Sequence, residues 1–143
     1  MSRGAAAWLL VRARERLVGL ALPRVVEVLD PGAVHAVPAL EPAVRGVALV
    51  RGRLVPVVHL GALLDGAPCS SACGETGVLV DADGRRLCLE VENAEEVLLG
   101  TGLAVPDGAT LPWASAVARH ENRLVPLLDL DALGARIREA ASA

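Results

Sequence analysis

The second half of the chain repeats the first. Residues 9–29 laid over 78–98, an offset of 69, agree at Leu10/Leu79, Val11/Val80, Ala13/Ala82, Arg16/Arg85, Leu20/Leu89, Glu27/Glu96, Val28/Val97 and Leu29/Leu98. Further along the offset becomes 70. There Arg53-Leu54-Val55-Pro56 falls on Arg123-Leu124-Val125-Pro126, and Leu60, Ala62 and Leu63 fall on Leu130, Ala132 and Leu133. Solenoid repeats run to about 20–50 residues and come in stacks. Two longer copies at a nearly constant offset predict instead one domain over residues 8–135, made of similar subdomains at 8–66 and 77–135 with a connector at 67–76.

Inside each copy the hydrophobic period is two, the period of a strand. Leu87, Leu89 and Val91 alternate with Arg86, Cys88 and Glu90, and Val18, Leu20 and Leu22 share a face. Asp83-Gly84 is a two-residue hairpin signal, and Arg51-Gly52 and Glu121-Asn122 hold equivalent places before the two Arg-Leu-Val-Pro strings. Pro56 and Pro126 interrupt apolar runs at the same repeat position. A proline withholds a ladder donor, so edge or bulged strands are expected there. The pattern predicts an all-β chain with about five short strands per repeat, coiled into two small barrels. Helix is confined to a turn at 41–45, a short segment at 60–64 and the tail at 129–143. Asp129 or Asp131 caps the tail, and Gly134 weakens it by roughly 1 kcal/mol relative to alanine.

Composition narrows the function. The chain is 53% hydrophobic, enough for a core, yet Phe and Tyr are absent and Trp8 and Trp113 are the sole aromatics. All 14 basic residues are Arg, and the formal charge of −3 is spread without a basic face, which disfavours nucleic acid as a partner. The uncharged apolar run at 54–64 is shorter than the about 20 residues a membrane-crossing helix needs, and it contains Pro56, so no direct membrane insertion is expected. The run at 5–11 is bounded by Arg12, Arg14 and Arg16 with no small-residue cleavage site, so no secretory signal is expected. Three cysteines do not make a disulfide framework and point to the cytoplasm.

Catalytic constellations are missing: there is no phosphate loop, nucleophile elbow or His-Glu-x-x-His helix. Asp81 and Asp83 belong to a hairpin turn, Asp129 and Asp131 to a helix start, and Glu95 and Glu96 face opposite ways on a strand. His35 and His120 read as surface residues. No enzyme, metal centre or cofactor is expected. One alternative stays open, a metal- or redox-responsive sensor drawing on Cys69, Cys73, Cys88 and His59, whose types suit zinc although the spacing is not distinctive. The more suggestive pair is Glu27 and Arg51, the charged residues of two otherwise apolar stretches, which form an ion pair and a binding face if those strands are neighbours.

Two stretches, Leu22-Pro23-Arg24-Val25-Val26-Glu27-Val28-Leu29 and the run at 41–58 with Gly46-Val47 and Arg51-Gly52-Arg53-Leu54-Val55-Pro56, resemble the CheW-like chemotaxis coupling domain. The resemblance extends from about Trp8 to Leu133. It implies two SH3-like five-stranded β-barrel subdomains with a short C-terminal helix, and no enzymatic activity. It also implies a scaffold that docks a chemoreceptor cytoplasmic tip and the regulatory domain of a chemotaxis-type histidine kinase, with other CheW-like proteins as further partners, in the cytoplasm at receptor clusters. Position by position it places partner binding on Val25, Glu27, Gly46, Val47, Leu49, Arg51, Gly52 and Glu90.

This chain departs from the family pattern in several places. Leu49 stands where Asn is usual, Val50 where Leu is, His59 where Asp is, and Glu90 where an apolar groove residue is common. These departures suggest an accessory adaptor, one that binds a single partner, as the variant of the same role.

Overall fold

The structure, a computed structural model, describes residues 6–37, 42–66, 76–105 and 113–142. In chain order the elements are β1 (Ala6–Ala13), β2 (Arg16–Ala21), a 3-10 turn (Leu22–Arg24), β3 (Val25–Leu29), β4 (Val44–Val50), β5 (Arg53–His59) and α1 (Leu60–Asp65). The second half follows with β6 (Thr76–Ala82), β7 (Arg85–Val91), β8 (Asn93–Gly100), β9 (Ala114–His120), β10 (Arg123–Leu128) and α2 (Leu130–Ser142). The repeat is therefore structural: β1 to β5 and α1 correspond in order to β6 to β10 and α2. Three hairpins turn on the residue pairs expected. Arg51-Gly52, Asp83-Gly84 and Glu121-Asn122 all have both residues at positive φ, the requirement of a tight two-residue turn matching strand twist.

The strands form two five-stranded sheets, β8-β1-β2-β10-β9 and β3-β6-β7-β5-β4. Neither sheet follows a sequence half, which corrects the expectation of one barrel from 8–66 and another from 77–135. In repeat terms both sheets have the same order, third, first, second, fifth and fourth strand. The hairpin of first and second strands always comes from the other half. Short parallel ladders make the exchange, Leu127↔Gly19 in one sheet and Val57↔Cys88 to His59↔Glu90 in the other. Because the two hairpins carry the same alternation, either placement buries the same pattern, so periodicity alone does not choose between them.

The exchange leaves one continuous core between the sheets and a smaller cluster inside each. The central core takes Val11, Val18 and Leu20 from one sheet and Val58, Val80 and Leu89 from the other, with Leu63, Leu133 and Ile137 from the helices. Ala48, Val55, Val57, Leu79 and Cys88 fill the second sheet's interior, and Trp8, Ala118 and Leu127 the first's.

The prolines lie on interior strands, β5 and β10, so they mark no sheet edge. Both ladders are bulged close by, opposite Val57 and Val58 in one and between Leu127 and Leu128 in the other. Counting from the hairpin closures at Val50↔Arg53 and His120↔Arg123, Pro56 and Pro126 occupy non-hydrogen-bonded pairs with Val47 and Val117. Their nitrogens therefore point away from β4 and β9, toward a parallel ladder that begins only at the next residue, Val57 or Leu127. No ladder donor is lost.

Both helices start from an equivalent capped position. The Nδ1 of His59 accepts from the Ala62 amide at 3.0 Å, and Oδ1 of Asp129 accepts from the Ala132 amide at 3.0 Å. Gly134 has a packing reason: a Cβ there would approach the Ala82 carbonyl oxygen to 2.9 Å, so α2 lies against the β6–β7 hairpin only with glycine at this point.

Candidate functional site

In the second sheet β3 and β4 are the two edges. Edge strands carry unpaired backbone groups and must be covered, closed or kept for a partner. Here a bidentate ion pair ties them. Arg51 in the β4–β5 turn donates through Nε and Nη2 to the two carboxylate oxygens of Glu27 on β3, each at 2.8 Å. The fork-to-fork geometry holds the Glu27 carboxyl below its ordinary range, chiefly through the Arg51 hydrogen bonds. The Arg51 side chain nevertheless remains 75% exposed, so its three remaining N–H donors and its planar face stay open to solvent.

The other expected residues sort by position. Gly46 lies on β4 at φ 150°, and its neighbour Val47 exchanges two backbone hydrogen bonds with His35 at 2.8 and 2.9 Å. A side chain at position 46 would meet the His35 carbonyl, so glycine is what lets the preceding loop lie against β4. Gly52 completes the turn that carries Arg51. Leu49 is 65% exposed and faces Leu54, 68% exposed, across the β4–β5 ladder. Glu27, Arg51, Leu49 and the turn thus come together around one hairpin, with Gly46 and Val47 further along β4. Val25 belongs to β3 but packs partly against the central core.

Glu90 requires a correction. It is 3% exposed on β7, with Oε2 accepting from Arg45 Nη1 at 2.6 Å. The Leu87–Val91 alternation suggested a polar face, but β7 is the middle strand of its sheet, with the central core on one side and the sheet's own interior on the other. Glu90 is a buried counter-ion to Arg45 and offers no surface to a partner.

The residues of the sensor alternative also have structural employment where they are described. Cys69 and Cys73 lie outside the described residues. Cys88 packs its sulfur over Gly77, where a Cβ would come within 2.7 Å, and burial pushes its thiol up to about 12. His59 is buried, spends Nδ1 on the helix cap, and is held neutral first by that burial and then by nearby Arg14. A protonated thiol and a committed imidazole nitrogen are poor metal ligands.

Composition reasoning missed Leu54 and His120. Leu54 lies in the Arg-Leu-Val-Pro string, and its outward direction was legible from the inward Val55. The sequence reads His120 as a surface residue, whereas its Nε2 lies 2.9 Å from Glu96 Oε1 and its side chain is only 16% exposed. Glu96 is the repeat equivalent of Glu27, and β8 and β9 are the edges of the first sheet, so each sheet is tied edge to edge at the corresponding place.

With the fold and this surface in place, comparison with known proteins is specific. The structure of the scaffolding protein TtCheW from Thermoanaerobacter tengcongensis matches with a TM-score of 0.77 at 18% sequence identity, covering 87% of this chain and 89% of that one. At that identity the likeness is one of fold. No curated protein matches the sequence. The family model of the CheW-like domain matches residues 7–138. Twin five-stranded sheets, an Arg-Gly turn tied to the Glu of an edge strand and a match over nearly the whole length agree, and the chain belongs to the CheW-like domain family.

Proposed function

We propose that the protein is a non-enzymatic adaptor that couples chemoreceptors to a chemotaxis-type histidine kinase, binding the receptor's cytoplasmic tip and the kinase's regulatory domain at receptor clusters. The observation that carries this proposal is the Arg51 hairpin. Glu27 fixes the guanidinium in orientation without burying it, and exposed Leu49 and Leu54 stand on the same hairpin. A preoriented Arg beside apolar side chains is the composition of a protein-interface anchor, since little side-chain freedom is left to lose on binding. The family supplies the class of partner. The mechanism is geometric: two surfaces on a rigid pair of barrels hold two partners at a fixed distance, and signal passes through altered packing between them.

Of the departures behind the accessory, single-partner alternative, Glu90 is internal and bears on no surface. Leu49 stands exposed on the binding hairpin and keeps that alternative as an outcome of the test. The test is a two-arm titration of the intact protein against the kinase regulatory domain and against a receptor-tip fragment. Binding in both arms is the expected result. Binding in one arm overturns the coupling role in favour of the accessory one, and silence in both removes the proposal altogether.

A further inference from the structure

A groove of about 1000 Å³ runs between the β4–β5 and β6–β7 hairpins and ends against α2. Its lining combines apolar side chains, Val55, Leu79 and Ile137 among them, with four arginines, Arg51, Arg53, Arg85 and Arg86. Two of the four are matched by carboxylates, Arg51 by Glu27 and Arg86 by Asp81 at 3.2 Å. Arg53 and Arg85 make no ion pair among the described residues. A local excess of two positive charges on a chain whose formal charge is −3 is a concentrated feature.

The repeat shows what is missing. The equivalent of Arg85 in the other half is Arg16, which lines a smaller cleft of about 500 Å³ with Arg14 and Asp65. Asp65 takes both arginines, each at 2.9 Å, and the Arg16 guanidinium also lies 5.4 Å from the centre of the Trp113 ring. The cleft there is neutralised from within. At the offset of 70, the place of Asp65 is taken by Ala135. At the offset of 69 Arg85 keeps the cation of Arg16, while Asp83 stands in the place of Arg14. The groove's own carboxylate, Asp81, is taken by Arg86, and no counterpart of Asp65 is left to pair Arg85.

We infer that this groove takes an acidic segment of a protein partner, with carboxylates meeting Arg53 and Arg85 and an apolar residue resting beside the exposed Leu54 of its wall. Charge complementarity supports the acidic character, because a site of sign opposite to the whole molecule selects such a segment and steers it inward. The exposed Leu54 beside the cations supports a peptide over a small anion, which would leave that side chain in water. Nucleic acid fits poorly: strand binding uses aromatic platforms, and Trp8 and Trp113 are both buried away from this groove. The inference leans on the adaptor proposal only in that the segment belongs to a partner protein.

The test uses the full chain and a fluorescently labelled short peptide alternating Glu and Leu, read by anisotropy beside a Gln/Leu peptide and a labelled single-stranded oligonucleotide. The acidic peptide is expected to bind at least about tenfold more tightly than the neutral one, and added salt to erode the difference. Reversing both free cations, Arg53→Glu with Arg85→Glu, is expected to weaken the acidic peptide by about tenfold or more. The neutral pair Arg53→Gln with Arg85→Gln covers the case in which the reversal variant loses its fold. Equal affinity for the two peptides, unchanged binding in a folded double variant, or tighter binding of the oligonucleotide would each overturn the inference. The adaptor proposal fails separately, by silence of the unmodified protein toward kinase domain and receptor tip, and that outcome is read without the peptide.

Discussion

Gly46 shows how one atom sets a surface. Its φ of 150° and the adjacent His35 carbonyl leave no place for a Cβ, and the pair of hydrogen bonds between Val47 and His35 depends on that closeness. Gly46→Ala is expected to cost roughly 2–4 kcal/mol, from backbone strain plus displacement of the loop before β4. Urea unfolding measures it, and a loss under about 0.5 kcal/mol would show that the loop yields freely. Residues differed in how far the sequence disclosed them. The Glu27–Arg51 pair was legible, because two charges in otherwise apolar strands have few alternatives to each other. Glu90 was not, because alternation distinguishes the two faces of a strand but not whether the second face meets solvent or another layer of protein. His59 was legible only as a departure from an Asp. The structure shows the reason it is tolerated, since its Nδ1 makes the helix-capping bond that Asp129 makes in the other half.

At the scale of elements, the helices are fixed to the sheets by polar locks. Asp131 in the first turn of α2 accepts from Arg24 through both oxygens, at 2.6 and 2.8 Å, and from the amide of Asp83 at 2.8 Å. One carboxylate thereby joins α2 to the 3-10 turn and to the β6–β7 hairpin. The Arg24 bonds first, then the Asp83 amide, lower its pKa from 3.8 to about 2. A depressed folded value means that the contribution is complete above the unfolded value near pH 4 and is lost as pH falls toward 2. Thermal midpoints followed from pH 5 to pH 2 are expected to fall further in the wild type than in Asp131→Asn, which starts lower and has less to lose. Parallel curves would contradict the lock. The turns and the helix at 60–64 were legible from composition, because residue pairs such as Asp-Gly tolerate positive φ. The Arg14-Glu15 turn was not, although Arg14 adopts φ 60°, since neither residue type announces such a conformation.

At the scale of the whole molecule, the central fact is the exchange of hairpins between halves. Each sheet takes two of its strands from the half that does not supply the other three, so neither half contains a complete sheet. Separately expressed fragments ending and starting within the connector at 67–76 are expected to be unfolded alone and to regain the native circular dichroism spectrum when mixed. A cooperative thermal transition in either fragment by itself would contradict the exchange. Twofold repetition was legible in the sequence and the exchange was not, because equivalent hairpins bury equivalent patterns wherever they pair. The edges of the two sheets are joined by Glu27 and Arg51 in one and by Glu96 and His120 in the other, and it is on the first of these that the proposed adaptor role rests. The most direct test is the affinity of the kinase regulatory domain for Arg51→Glu and for the exchanged pair Glu27→Arg with Arg51→Glu. If Arg51 is itself the anchor, both variants stay folded, both bind at least about tenfold more weakly than the wild type, and the exchanged pair recovers stability without recovering affinity. Wild-type affinity in folded Arg51→Glu, or full recovery of binding in the exchanged pair, would contradict the role assigned to this hairpin.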